Sequence, residues 1–227
     1  MVMPRAVASS AHHVELRRMG LGDLDFVVHQ HLDNFPGNAL SRLGEGFVRR
    51  YYRTFLDGPH AAACVAQANG DSVGYLAGIL DAAEHRKLLR RYHGRELALS
   101  AARGAILHPA RSAPLVRHRT RLAFARSLAR ARNSTPMADG ATGRVAVLSH
   151  LVVSQEARSS GIGSSLVCDF LASCADAGAD TACVATMQGD DGAGRLYARL
   201  GWTKQRERET FDGRQIAIYS RSVLESS

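Results

Sequence analysis

The pattern of apolar and polar positions divides the chain into short, well-marked elements. His13 to Met19 alternates and reads as a first strand. Asp23 then sits as N-cap before a helix whose apolar face is Leu24, Val27, Val28 and Leu32, and Pro36-Gly37 stops it. From Leu40 to Leu56, apolar residues at 40, 43, 47, 48, 51, 52 and 55 keep helical spacing and predict one long helix. Ala61 to Ala66 and Val73 to Leu80 read as strands joined at Asn69-Gly70, the dipeptide that best tolerates the two positive φ angles of a tight hairpin.

The second half is equally punctuated. Val145 to Val153 is an apolar strand, and a helix from Ile162 to about Ala177 buries Ile162, Leu166, Val167, Phe170, Leu171 and Cys174. Thr181 to Met187 is another strand. A short helix follows, capped by Asp190 and ended by Gly201, with Ala193, Leu196, Tyr197 and Leu200 inward. Strands near Thr203 to Thr210 and Gln215 to Arg221 close the chain around an Asp212-Gly213 turn. Strands and helices in this order make a mixed α/β sheet with helices on both faces, in one domain spanning residues 13–227 after a loose tail at residues 1–12.

Composition changes the picture in one place. The chain of 227 residues carries a net charge of +8. Residues 84–132 alone carry +11 and the remainder −3, so the basic excess belongs to one stretch. That stretch reads as an arginine-rich helical insertion, with a short helix around Leu88, Leu89 and Tyr92 and a longer one over Arg117 to Arg132. Residues 133–143 read as a loop. The plain reading is a pair of solvated helices; the functional one is a surface for an acidic partner. Aromatic residues are sparse there, so base stacking, and with it nucleic acid, is not indicated. No apolar run reaches the length of a membrane span, and no membrane partner is expected. The N-terminal residues lack the apolar core of a signal peptide, so a cytoplasmic protein is expected. The four cysteines, at 64, 168, 174 and 183, show no metal-ligand spacing and read as reduced thiols; no metal is expected.

The candidate chemistry lies at the junction of the central strand and helix. Arg158, Gly161 and Gly163 stand in a polar turn between them. A helix N-terminus there offers unpaired N–H groups and partial positive charge to an anion. Leu166 stands where a dinucleotide fold needs a third glycine, and no lysine follows Gly163 as a P-loop requires.

What remains, R-S-S-G-I-G after an apolar strand, resembles the coenzyme A loop of the GNAT N-acetyltransferase family. D-D-G-A-G-R-L-Y-A-R-L-G-W at residues 190–202 resembles the family's N-x-x-A-x-x-L-Y-x-x-x-G-F pattern, with Asp190 for Asn and Trp202 for Phe. The resemblance implies a single GNAT-like α/β domain with a mostly antiparallel sheet. It implies acetyl-CoA, or another acyl-CoA, as co-substrate, and direct attack by a primary amine in a ternary complex. The amides of Ser159, Ser160, Gly161, Ile162, Gly163 and Ser164, with the Arg158 side chain, would cradle the pyrophosphate, and Asp190 would cap the neighbouring helix. Main-chain groups of Leu151, Val152 and Val153 would pair with the pantetheine arm and stabilise the oxyanion.

Tyr197 matches the family tyrosine that donates a proton to the thiolate. The family places a base, where this strand supplies one, at the positions of Val147 or Ser149. Ser149 could relay only through water. His150 is apt chemically, but strict alternation turns it to the other face unless a bulge intervenes. The acceptor is unidentified; Tyr51, Asp33, Asn34 and Asn38 could line its pocket, and a homodimer is compatible with the sequence. Two other readings stay open: a coenzyme-binding module that has lost turnover, and an RNA- or ribosome-associated protein using residues 84–132.

Overall fold

A computed structural model of the chain describes residues 14–110, 113, 143–187, 191–210 and 213–223. The expected tail, the helix over 117–132, nearly all of the 133–143 loop and the Asp190 cap lie outside the described residues.

Among the described residues seven strands form one sheet: β1 (Val14–Arg18), β2 (Ala61–Ala68), β3 (Asp71–Ile79), β4 (Val145–Val153), β5 (Thr181–Met187), β6 (Thr203–Glu209) and β7 (Gln215–Ser222). Their order is β1-β2-β3-β4-β5-β7-β6. Only β4 and β5 run parallel; the other neighbours are antiparallel. The β2–β3 hairpin turns at Asn69 (φ 54°) and Gly70 (φ 90°), as the dipeptide predicts.

Seven α-helices are found among the described residues: α1 (Leu24–Asn34), α2 (Ala39–Arg42), α3 (Glu45–Arg53), α4 (Ala82–Leu88), α5 (Gly94–Leu107), α6 (Ile162–Asp176) and α7 (Asp191–Arg199). On one face of the sheet, α6 buries Ile162, Leu166, Val167, Phe170 and Cys174 against Leu76, Ala146, Leu148 and Val184, with Tyr197 and Trp202 beside them. Each large side chain so buried contributes about 1.5–3 kcal/mol. On the opposite face, α1 and α3 bury Val27, Val28, Val48, Tyr52 and Phe55 against Val65, Tyr75 and Val152.

Two expectations are corrected. The single helix over 40–56 is two helices, because Gly44 takes φ 87° and resets the axis between α2 and α3. The apolar spacing ran through this break because both helices turn the same side to the core. Asp23 precedes α1 but its side chain caps nothing in it. Its carboxylate accepts the Gly20 N–H at 2.8 Å and both terminal nitrogens of Arg17 at 2.7 and 2.6 Å, a fork that ties α1 to β1 and holds the carboxyl below its ordinary range. In the basic stretch, one turn of wide winding, Leu89–His93, joins α4 to α5. Gly104 of α5 lies against the Leu43 backbone, so this stretch packs on the helical layer.

Candidate active site

The site begins with a parting of strands. The β4–β5 ladder pairs only Val145 to Leu148 with Thr181 to Val184. Beyond that, β4 runs on to Val153 and β5 to Met187 without partnering each other. Leu151, Val152 and Val153 stay paired to β3 through Leu76, Tyr75 and Gly74. Their other edge opens on the gap, where an extended arm could add as a strand.

At the end of β4, a single helical turn (Gln155–Ala157) leads into the coenzyme-type loop. Ser159 (φ 65°) and Gly161 (φ 86°) are both left-handed there. Such alternation turns successive N–H groups to one side and makes an anion nest. The first bond of α6 runs from Ser165 N–H to the Gly161 carbonyl. The six N–H groups from Ser159 to Ser164 therefore make no hydrogen bond among the described residues. A Cβ on Gly161 would meet nothing within 4 Å, so the space above the loop is open. The Arg158 guanidinium reaches the other way: Nε donates to the Val153 carbonyl at 3.1 Å and Nη2 to Asn34 Oδ1 at 3.0 Å. A row of N–H groups without partners at a helix start suits an anion.

Tyr197 on α7 is 4% exposed and packs with Trp202 and Tyr219 at ring distances of 5.5 and 5.9 Å. Leu196, its neighbour, stands 3.5 Å from where a Cβ of Gly163 would lie, so α7 flanks the loop.

The strand face is the principal correction. The register pairs Ala77 with His150 and Gly78 with Leu148, so Ser149 is an extra residue in a β-bulge. Before the bulge Leu148 faces α6; after it Leu151 and Val153 do, while Val152 faces α1 and α3. Leu151 thus leaves the face strict alternation gave it, and His150 arrives on the α1/α3 face. Its ring lies 4.9 Å from His31, 5.6 Å from Phe35, 5.7 Å from Tyr51 and 5.5 Å from Tyr52. Ser149 is a hydrogen-bonding neighbour of the Tyr51 phenol, whose pKa burial raises. Ser149, His150 and Tyr51 therefore meet on one face.

Burial governs this cluster. It pushes His150 down to about 3, with His31 adding repulsion, and His31 down to about 4. Both are neutral at pH 7. His31 Nδ1 is hydrogen-bonded to the Tyr52 hydroxyl at 2.8 Å, and that hydroxyl to Tyr75 at 2.8 Å. His31 Nε2 and His150 Nδ1 are buried without a partner among the described residues. Sequence reasoning named Tyr51 and His150 but missed His31, Tyr52 and Tyr75, because only the bulge brings His150 to them.

Of the other acceptor-pocket candidates, Asn34 holds Arg158, Asn38 caps α2 through the Leu40 N–H, and Asp33 pairs with His29. Across the sheet's end, Arg214 Nη2 donates to the Gly37 carbonyl at 2.9 Å, tying the β6–β7 hairpin to the loop after α1. Among the described residues, no group of three His, Cys, Asp or Glu could hold a metal. Cys64, Cys174 and Cys183 are buried free thiols and Cys168 is exposed.

Residues 127–219 match the acetyltransferase (GNAT) domain family. Those residues carry a GNAT acetyltransferase domain. The matched span contains the coenzyme-type loop, the parted strands and Tyr197. Solved GNAT-fold structures resemble this acetyltransferase over nearly all of both chains. Arabidopsis thaliana NAA60 in complex with acetyl-CoA is 12% identical, with a TM-score of 0.56, covering 93% of this chain and 99% of that one. Salmonella typhimurium YncA with its cofactor acetyl-CoA is 9% identical, with a TM-score of 0.56 and coverage of 94% and 96%. The Escherichia coli ribosomal-protein-S18-alanine N-acetyltransferase is 12% identical, with a TM-score of 0.53 and coverage of 93% and 94%. At these identities the likeness is one of fold. No curated protein matches the sequence.

Proposed function

We propose that this GNAT acetyltransferase moves the acetyl group of acetyl-CoA to a primary amine by direct attack in a ternary complex. The observation that carries the reading is the pairing of the β4–β5 gap with the row of six unpartnered N–H groups at the head of α6. The row suits a pyrophosphate, and the gap suits an amide-bearing arm that continues from it towards His150. NAA60 and YncA, of the same fold, were solved with acetyl-CoA, which supports the same donor here.

In this reading the N–H groups from Ser159 to Ser164 bind the pyrophosphate, and main-chain groups of Leu151, Val152 and Val153 hold the arm and meet the oxyanion. Arg158 joins them by exchanging Asn34 for phosphate. Tyr197 donates a proton to the departing thiolate. The amine enters from the α1/α3 face, between the loop after α1 and the β6–β7 hairpin, and meets Ser149 and His150.

The buried imidazole limits how the amine loses its proton. An alkylammonium has a pKa near 10 in water, and burial holds His150 at about 3, so direct transfer to the imidazole is uphill. His150 therefore does not deprotonate a bound ammonium. It accepts a hydrogen bond from an amine that arrives neutral, and Ser149 passes the later proton to water.

The deciding experiment is a thiol-release screen of an amine library with acetyl-CoA and longer acyl-CoAs. Amine-dependent release of free CoA is expected. Tight acetyl-CoA binding with no release for any amine would make the protein a coenzyme-binding module instead, and absence of acetyl-CoA binding would remove the reading altogether.

A further inference from the structure

The basic insertion presents a surface that the transferase chemistry leaves unused. A cleft of about 600 Å³ opens between α3 and α5, on the side of α3 turned away from the sheet. Arg49, Arg50 and Arg53 line one wall and Arg103 the other, with Leu21, Leu24, Leu97 and Leu99 between them. Several cations elsewhere on the protein are matched: Arg17 to Asp23, Lys87 to Glu84, Arg144 to Asp81 and Lys204 to Glu207. Of the arginines that line the cleft, Arg49 alone is matched among the described residues, by Asp25 and Glu45. Arg53 and Arg103, and Arg95 on the same helix as Arg103, have no acidic partner among the described residues. Glu96 is the cleft's one acidic lining residue.

Apolar exposure falls in the same place. Five large hydrophobic residues are exposed among those described, and four of them, Leu21, Leu99, Ile106 and Leu107, flank this cleft or continue along α5. Leu99 and Ile106 are two turns apart on one stripe, and Arg95 and Arg103 border it one turn from Leu99. Their exposures, 69% for Leu99 and 77% for Ile106, are those of side chains standing clear of the protein.

We propose that the outer face of α5 and the arginine-lined cleft beside it form a docking surface for an anionic phospholipid membrane. Lipid phosphates meet Arg50, Arg53, Arg95 and Arg103, one headgroup enters the cleft, and Leu21, Leu99, Ile106 and Leu107 enter the acyl boundary. Basic residues beside protruding apolar ones are what an interfacial helix needs. Charge selects this occupant over two others. A second copy would set arginines against arginines, and residues 114–142 of the same chain carry +5. The attachment is peripheral: no described helix is long and apolar enough to cross a membrane.

The test is co-sedimentation of the full chain with vesicles of phosphatidylcholine alone and of phosphatidylcholine mixed with phosphatidylglycerol. Binding is expected only to the mixed vesicles, weakening as salt rises. Each arginine removed lowers partitioning about five-fold. Arg53→Ala with Arg103→Ala therefore lowers it roughly 25-fold, with amine-dependent CoA release in solution unchanged. Leu99→Ala with Ile106→Ala is expected to lower it as well while the salt dependence remains. All four side chains are exposed, and circular dichroism checks that the variants fold. Equal binding to both vesicle types, or none to either, overturns the proposal. So does binding that soluble polyglutamate abolishes and the leucine and isoleucine variants leave intact, since that is the mark of an acidic protein partner.

Discussion

Three buried imidazoles make this fold sensitive to mild acid. His31, His85 and His150 are 0%, 2% and 8% exposed, and desolvation lowers them to about 4, 4 and 3. In the unfolded chain each returns to about 6.5. Between those values the unfolded state holds protons that the native state refuses, so stability is complete above pH 6.5 and is lost as pH falls towards 4. Each histidine contributes a slope of at most about 1.4 kcal/mol per pH unit, and three together about 4. Integrated from pH 7.5, the loss is about 4 kcal/mol at pH 5.5 and about 8 kcal/mol at pH 4.5. A domain of this size has about 5–15 kcal/mol in all, so it should unfold between about pH 5 and pH 4. The carboxylates held low, Asp23 by Arg17 and Asp81 by the Ala83 and Glu84 N–H groups and Arg144, withdraw their support only at lower pH.

The assay is urea unfolding followed by circular dichroism from pH 7.5 to 4.5. His85→Leu supplies the internal control. Neither His85 nitrogen has a partner among the described residues, and its ring lies 5.4 Å from Phe55. The variant should be at least as stable as the parent at pH 7.5, because it removes a buried polar group without a partner. Its stability should fall with a slope shallower by about one proton, or about 1.4 kcal/mol per pH unit. Stability that stays constant to within about 1 kcal/mol between pH 7.5 and 5.5 would refute the argument, since the imidazoles would then titrate normally inside the fold.

The remaining predictions concern the reaction. Tyr197→Phe should lower kcat about ten-fold or more with little change in KM; an unchanged kcat removes the acid role. Gly161→Trp fills the open space above the loop and should weaken acetyl-CoA binding in calorimetry more than it lowers Tm, and equal affinity would displace the loop from the coenzyme site. The pH dependence of kcat/KM should rise to the pKa of the acceptor amine with no inflection near 6.5. An inflection there that disappears in His150→Gln would show that His150 titrates as a base.

Most of the sheet was legible because its signals are local. The alternation of β4, the Asn69-Gly70 turn and the glycine loop each need only neighbouring residues, and the structure has β4 at the expected residues 145–153. What failed to read depends on distant partners. Asp23 looks like a cap until Arg17, six residues back and on another element, claims its oxygens. The helix broken at Gly44 kept its apolar spacing because both halves pack on the same sheet face. The outer face of α5 was legible only as charge, residues 84–132 reading as a basic surface. Its exposed apolar residues are too few and too widely spaced among alanines and arginines to mark off the helix.

The bulge at Ser149 shows why the site was harder to read than the fold. A strand's side chains are assigned to faces by counting, and one extra residue inverts every assignment beyond it. Counting set His150 apart from Ser149; the register sets them side by side and brings His31, Tyr51 and Tyr52 around them. The same insertion that delivers an imidazole to the acceptor side also buries it, and burial removes the basicity that made it attractive. A histidine in the right place is thus a poor base for an ammonium ion. The acceptor best suited to this site is one that reaches it already neutral, so amines of depressed pKa, such as the α-amino group of a peptide at about 7.7–8.0, should turn over faster at neutral pH than alkylamines of equal size. Comparing a dipeptide with an aliphatic diamine of matched length at pH 7.5 checks this, and a faster diamine would mean that a proton acceptor other than His150 serves the site.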